Sequence, residues 1–228
     1  MFCNTLYFQK FAFFLKNKNY NKFKLLYNEY NTYIQYSNNI DLKNTIIYLN
    51  NNLTLDKLLF LSNVLDSIDN FCTGDGKGLI GGTLTEMIFQ QFLSENINNY
   101  VKNNKGESDI KINDIPFSFK KISGTNSQIA LSWSKNKNID KREYFTCPII
   151  ILNLNKNKNK IIKRGIYIVD NYYCKSNIIL STGNKTNTLI KSRELIKMLN
   201  WSYNNKLFIE IPNSNVNMKF NILSAFLK

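Results

Sequence analysis

The stretch ESDIKINDIPFSFKKISG, residues Glu107 to Gly124, holds the pattern on which the fold turns. Its two short runs, SDIKI and PFSFKKIS, are rich in Ile and Phe and read as adjacent β-strands. Asp109 sits early in the first strand, Asp114 and Pro116 fall in or near the turn, and Phe117 to Lys120 lie in the second. Side chains of a strand alternate between its faces. Phe117 and Phe119 are therefore expected to face the core, with Ser118 and Lys120 together on the opposite face.

Outward from this pair, the pattern changes on either side. Residues from Phe2 to about Asp69 carry helix-spaced apolar residues, clearest in LDKLLFLSNVLDSI (Leu55 to Ile68). The opening MFCNTLYFQKFAFFLKNK lacks the basic start and small-residue cleavage site of a signal segment and reads as an amphipathic helix. A glycine-rich break, TGDGKGLIGGT (Thr73 to Thr83), precedes the helix TLTEMIFQQFLSENI. There Thr83 or Thr85 is the expected N-cap, and Leu84, Ile88 and Phe92 form the apolar stripe. Downstream, CPIIILNLN and RGIYIVD read as strands joined by the solvated tip NKNKNK. TLIKSRELIKML reads as a last helix, followed by KLFIEIP and NMKFNILSAFL as two closing strands. The sum is an α/β fold, a central mixed β-sheet flanked by helices. Residues 1–72 are expected to form a helical region, packed on the core or at a dimer interface, and residues 73–228 a catalytic core.

Composition narrows the function. The 228 residues suit one domain or a core with a helical extension, and 43% hydrophobic residues suffice to bury a core. A net charge of +14 favours a polyanionic partner, nucleic acid first and an anionic membrane surface second, although abundant Asn, Lys and Ile also fit an A/T-rich coding bias. The chain contains no histidine. That excludes a His general base, a Ser-His-Asp triad and His-ligated zinc. Water in a hydrolase of this composition has to be activated by carboxylate-held metal or by lysine. Cys3, Cys72, Cys147 and Cys174 are scattered without a C-x-x-C pair, as expected of buried thiols in a reducing cytoplasm. No apolar run is long enough to span a bilayer, so a soluble, cytoplasmic chain with no membrane partner is expected.

Phosphodiester hydrolysis needs a divalent metal to polarise the phosphoryl oxygen and a cation near the attacking water or the developing charge. A carboxylate at Asp109 and an ammonium at Lys120 on paired strands bring those groups together. This arrangement resembles the PD-(D/E)XK nuclease superfamily and, within it, the type II restriction endonucleases. Their motif is an acidic residue, a short connection, then acid-x-Lys on the next strand. Ser108-Asp109 matches the first element and Ser118-Phe119-Lys120 occupies the second. The resemblance covers roughly Gly81 to Asp170. It implies a Mg²⁺ cofactor held by Asp109, by a glutamate on the preceding helix, here Glu86, and by the Phe119 carbonyl. It further implies double-stranded DNA as substrate, a homodimer cutting both strands of a short site, 5′-phosphate products and a place in restriction-modification, with no nucleotide cofactor.

One position departs from the pattern. Ser118 stands where the motif carries an acid, and serine is a poor metal ligand. Glu86 supplies the missing carboxylate, or Ser118 holds a water of the metal, or the site is degenerate. After the lysine strand, KISGTNSQIALSWSKNKN (Lys121 to Asn138) gathers polar side chains where the resembled enzymes approach DNA. Lys121, Ser123, Gly124, Asn126, Ser127, Gln128, Ser132, Trp133, Lys135 and Asn136 are the expected DNA contacts. Asn and Gln suit base edges, and Lys, Ser and backbone amides suit phosphates. Other patterns carry less. GKGLIG (Gly76 to Gly81) has no preceding strand for a dinucleotide fold. GIY at Gly165 to Tyr167 lacks a YIG partner and reads as ordinary strand. Arg193 and Glu194 of SREL read as a solvated helix face.

Overall fold

The computed structural model describes residues 9–10, 12–13, 16–17, 20–71, 77–102, 108–122, 128–132, 144–155, 162–182 and 188–214. For 20, 27–39, 69–71, 77–82, 132 and 182 it gives the backbone alone. The chain divides into two compact units, Met1–Asp41 and Leu42–Lys228. The first contains helical residues at 9–10, 12–13 and 16, and the start of α1 (Tyr20–Asn52). The compact boundary lies earlier than the change of pattern after residue 72. Accordingly α2 (Leu55–Phe71) gives Leu58, Leu61 and Leu65 to the core of the second unit.

That second unit is layered. Its main sheet has the order β1-β2-β3-β5-β6-β9. The strands are β1 (Tyr100–Lys102), β2 (Ile110–Ile112), β3 (Ile115–Ile122), β5 (Ile149–Asn153), β6 (Gly165–Val169) and β9 (Phe208–Glu210). Among the described strands only β3 and β5 pair in parallel, with Lys120 opposite Ile151. All other neighbours in this sheet are antiparallel. A second, three-stranded sheet, β4 (Ile129–Ser132), β8 (Thr188–Ile190) and β7 (Leu180–Thr182), stands in the order β4-β8-β7.

Every residue of β5 and β6 is buried, as expected of strands covered on both faces. Phe117, Phe119, Ile150 and Ile168 share one apolar cluster with α1, α2 and α3 (Lys77–Asn96). Ile149, Ile151, Tyr167 and Val169 share the other with α4 (Asn171–Asn177) and α5 (Ser192–Asn204). The expected central mixed sheet flanked by helices is the observed one. At its β9 edge, a Cβ on Gly165 would collide with the Ile209 carbonyl oxygen and the Phe208 ring, so β9 closes on β6 only over glycine. Arg164, just before β6, meets Asp66 of α2 at 2.9 Å with both side chains buried, and also donates to Ser62 Oγ and the Leu154 carbonyl.

Four local expectations are corrected. First, helix α3 starts at Lys77, inside the glycine-rich segment, so neither Thr83 nor Thr85 is its N-cap. Glycine costs a helix about 1 kcal/mol per residue, but extending a helix already anchored by a buried face needs no new nucleus. Second, that face is displaced by one residue. Leu84 is exposed, while Thr85, Phe89, Phe92 and Leu93 are buried. Third, Thr188–Ile190 is strand β8, and the helix runs from Ser192 to Asn204. The TLI run is held by pairing with β4 and β7. Fourth, Glu194 is buried, accepting from the Ile179 amide at 3.0 Å and from Lys197 Nζ at 2.8 Å. Burial pushes its carboxyl up, and the Lys197 and Ile179 hydrogen bonds more than offset this, so its pKa ends lowered.

The strands KLFIEIP, CPIIILNLN and RGIYIVD appear as β9, β5 and β6. NMKFNILSAFL, most of the NKNKNK tip and the first eight residues lie outside the described residues. No helix among the described residues is long and apolar enough to cross a membrane.

Candidate active site

The hairpin β2–β3 turns on Asn113 and Asp114, whose φ angles are 51° and 63°. Asn and Asp tolerate this left-handed conformation better than other side-chain-bearing residues, and two such residues make the tight turn whose twist suits a hairpin. The register runs from Ile112 opposite Ile115 to Ile110 opposite Phe117 and stops there. Asp109 therefore falls just before β2 begins, while β3 continues beyond Phe117 to Ile122.

What β2 no longer supplies, the Asp109 side chain does. Its backbone N–H donates to the Phe117 carbonyl at 2.8 Å. Its Oδ2 accepts the Phe119 backbone N–H at 2.6 Å and the Ser118 hydroxyl at 3.2 Å. Hydrogen bonds to a charged acceptor are about twice as strong as neutral ones. The carboxylate is thereby fixed against the centre of the Ser118-Phe119-Lys120 triplet. Phe117 and Phe119 are buried and Ser118 and Lys120 half-buried, as strand alternation demands.

Helix α3 meets the same strand. Phe89 stacks on Phe119 with centroids 4.9 Å apart and planes 19° from parallel. Three residues earlier, half-buried Glu86 accepts from Gln90 Nε2 at 3.0 Å, and Gln90 is itself buried. The Glu86 pKa is raised above 4.5, first by burial and then by the negative charge of Asp109. Lys120 and Lys102 act in the opposite sense. Glu86, Asp109, Lys120 and Lys102 thus lie within one electrostatic neighbourhood.

Tyr100 of β1 belongs to it too. Burial and then the charge of Glu86 push its phenol up to about 12. The register places Lys102 opposite Ile110, beside Asp109, and Tyr100 opposite Ile112.

The donor set can be tested against a divalent ion. Among the described residues no group of three or more His, Cys, Asp and Glu gathers as a metal site. An all-protein cage is absent there, but Mg²⁺ is ordinarily held by one or two carboxylates, with waters and substrate phosphates completing the shell. A carboxylate offers about four lone-pair sites, so the hydrogen bonds on Asp109 Oδ2 and Glu86 Oε1 leave each group able to bind an ion. Burial raises Glu86 first and the charge of Asp109 second, and the second is what a cation between the two would relieve. The residues present fit Mg²⁺.

Of the expected DNA contacts, Lys121 is half-buried at the end of β3, Gln128 is exposed before β4, and Ser132 is the last residue of β4. Ser123, Gly124, Asn126, Ser127, Trp133, Lys135 and Asn136 lie outside the described residues. Sequence reasoning missed Gln90, Tyr100 and Lys102. A Gln four residues after Glu86 on a helix was a usable signal, since residues at that spacing are neighbours. The three-residue β1 gave none.

The sequence matches no protein-family model and no curated protein sequence. Among solved structures, the chain is similar to a restriction endonuclease in complex with substrate DNA. The TM-score is 0.54 at 18% sequence identity, over 79% of this chain and 95% of the other. The likeness establishes a restriction-endonuclease-like fold.

Proposed function

We propose that this chain is a Mg²⁺-dependent type II restriction endonuclease of the PD-(D/E)XK kind, hydrolysing both strands of double-stranded DNA at a short specific site. The observation that supports the reading is Asp109 fastened to the Ser118-Phe119-Lys120 triplet, with Glu86 of α3 within electrostatic reach of Asp109 and Lys120, in a fold similar to that of a restriction endonuclease bound to its DNA. A net charge of +14 supports a DNA partner. A homodimer would match the two-fold symmetry of a palindromic site.

Mg²⁺ would be held by Asp109 and Glu86, assisted by the Phe119 carbonyl, and when bound supplies Lewis-acid polarisation of the scissile phosphate. Lys120 positions or deprotonates the attacking water, or stabilises charge on the phosphate. Ser118 steadies Asp109 through its hydroxyl and Gln90 steadies Glu86 through its amide. Attack by water at phosphorus with departure of the 3′-oxygen leaves 5′-phosphate and 3′-hydroxyl ends.

Ser118 in the place of the motif's acid favours a second reading, a DNA-binding protein whose site has lost its chemistry. Incubation with phage DNA and Mg²⁺ separates the two. Discrete fragments support restriction. Smeared products or cutting of branched DNA point to a repair or recombination nuclease of the same fold, and retarded but intact DNA to binding alone.

A further inference from the structure

The Tyr100 hydroxyl is buried and has no hydrogen-bond partner among the described residues. A buried polar group in that condition has given up its bonds to water and received nothing in return. A phenylalanine would avoid this cost and keep the packing of the ring against the apolar cluster under α3. The oxygen is thus available to a partner that the described residues do not supply.

Its position says which. Tyr100 and Lys102 share one side of β1, and α3 packs against that strand. Glu86 of α3 is close enough for its charge to be felt at the phenol, which stays protonated at any ordinary working pH. A neutral hydroxyl both donates and accepts.

We propose that the Tyr100 hydroxyl is an outer-sphere anchor for a divalent cation held by Glu86 and Asp109, accepting a hydrogen bond from the ion's hydration shell. This rests on the metal reading of the same site given above. Small divalent cations surrender water reluctantly and keep several molecules of it when bound. Each of those waters is a polarised donor in search of an acceptor, and outer-shell partners of this sort set ion affinity by about 10- to 100-fold. Tyr100 is in this sense a positioning residue. Gln90 does the corresponding work on Glu86 from within the helix.

The test is thermal unfolding of the full chain without DNA, titrated with MnCl₂, for the wild type, Tyr100→Phe and Glu86→Gln. Without Mn²⁺, Tyr100→Phe is expected to melt at or above the wild type, because it removes an unpaired buried group. With Mn²⁺, it is expected to need about tenfold more ion for the same stabilisation. An unshifted Mn²⁺ response in Tyr100→Phe overturns the inference whatever its melting temperature. So does a lower metal-free melting temperature, which marks a structural hydroxyl. If the wild type responds to Mn²⁺ no more than Glu86→Gln does, the metal reading of the site itself falls, and this inference with it.

Discussion

Phe89 is the residue whose removal best tests how the site is held together. Its side chain is 1% exposed and stacked on Phe119, which is 4% exposed, so α3 is fastened to β3 at this point. Phe→Ala in a closed core costs about 3–5 kcal/mol. For a chain of this size each kcal/mol lowers Tm by about 2–4 °C, which predicts a fall of about 6–20 °C for Phe89→Ala. Phe89→Leu keeps most of the volume and loses the stack, and is expected to cost about 1 kcal/mol. The consequence extends to chemistry, because Glu86 lies three residues away on the same helix. A displacement of about 1 Å in a catalytic group can cost 10²-fold in rate. Cleavage by Phe89→Leu at 20 °C, where it is folded, is therefore expected to drop about tenfold while circular dichroism stays unchanged. The reasoning is refuted if Phe89→Ala melts within about 2 °C of the wild type, or if folded Phe89→Leu cuts at the wild-type rate.

Four further outcomes are expected. Lys120→Ala abolishes cleavage with little effect on folding or DNA affinity, since the side chain lies on the face of β3 opposite Phe119; gel assays of cutting and binding check this. Glu86→Gln loses Mg²⁺-dependent cleavage, whereas Ser118→Ala keeps a substantial part, and the reverse pattern would shift the metal role to Ser118. The same Glu86→Gln variant raises metal-free stability at neutral pH. The folded-state pKa of Glu86 lies above 4.5, so its protonated form supports the fold fully below that value and the support is lost as pH climbs through the raised pKa. Melting curves from pH 4 to 8 should show the gain growing with pH. Lys102→Ala weakens DNA binding and flattens its salt dependence by about one unit of slope if Lys102 meets a phosphate; an unchanged slope removes it from the interface.

The strand pair carrying the proposed site was legible as strands because period two leaves little freedom. Once Phe117 and Phe119 are buried, Ser118 and Lys120 must share the other face. Glu86 was legible as an acid at the border of an apolar helix stripe, even though the stripe itself is centred on Thr85 and Phe89 rather than on Leu84. Elsewhere local pattern lost to tertiary structure. TLI at 188–190 fits a helix turn as well as a strand, and only pairing with β4 and β7 decides it. Glu194 reads as surface until the Ile179 amide and Lys197 are seen beside it. The places of Tyr100 and Lys102 beside the proposed site depend on a register with β2 that three residues of YVK do not encode.

The parallel pairing of β3 with β5 also has a kinetic side. The β2–β3 hairpin closes over the two residues Asn113 and Asp114 and brings Asp109 onto Ser118 and Phe119 through contacts at most 10 residues apart. Joining it to β5 in parallel requires the chain between Ile122 and Ile149 to cross over first. Such closure is an entropic toll that local hairpins escape. Half of the site is thus a chain-local cassette that can form early, and the sheet around it closes late. Pulse-labelled amide exchange would see this as protection at Phe119 preceding protection at Ile150, and simultaneous protection would argue against it.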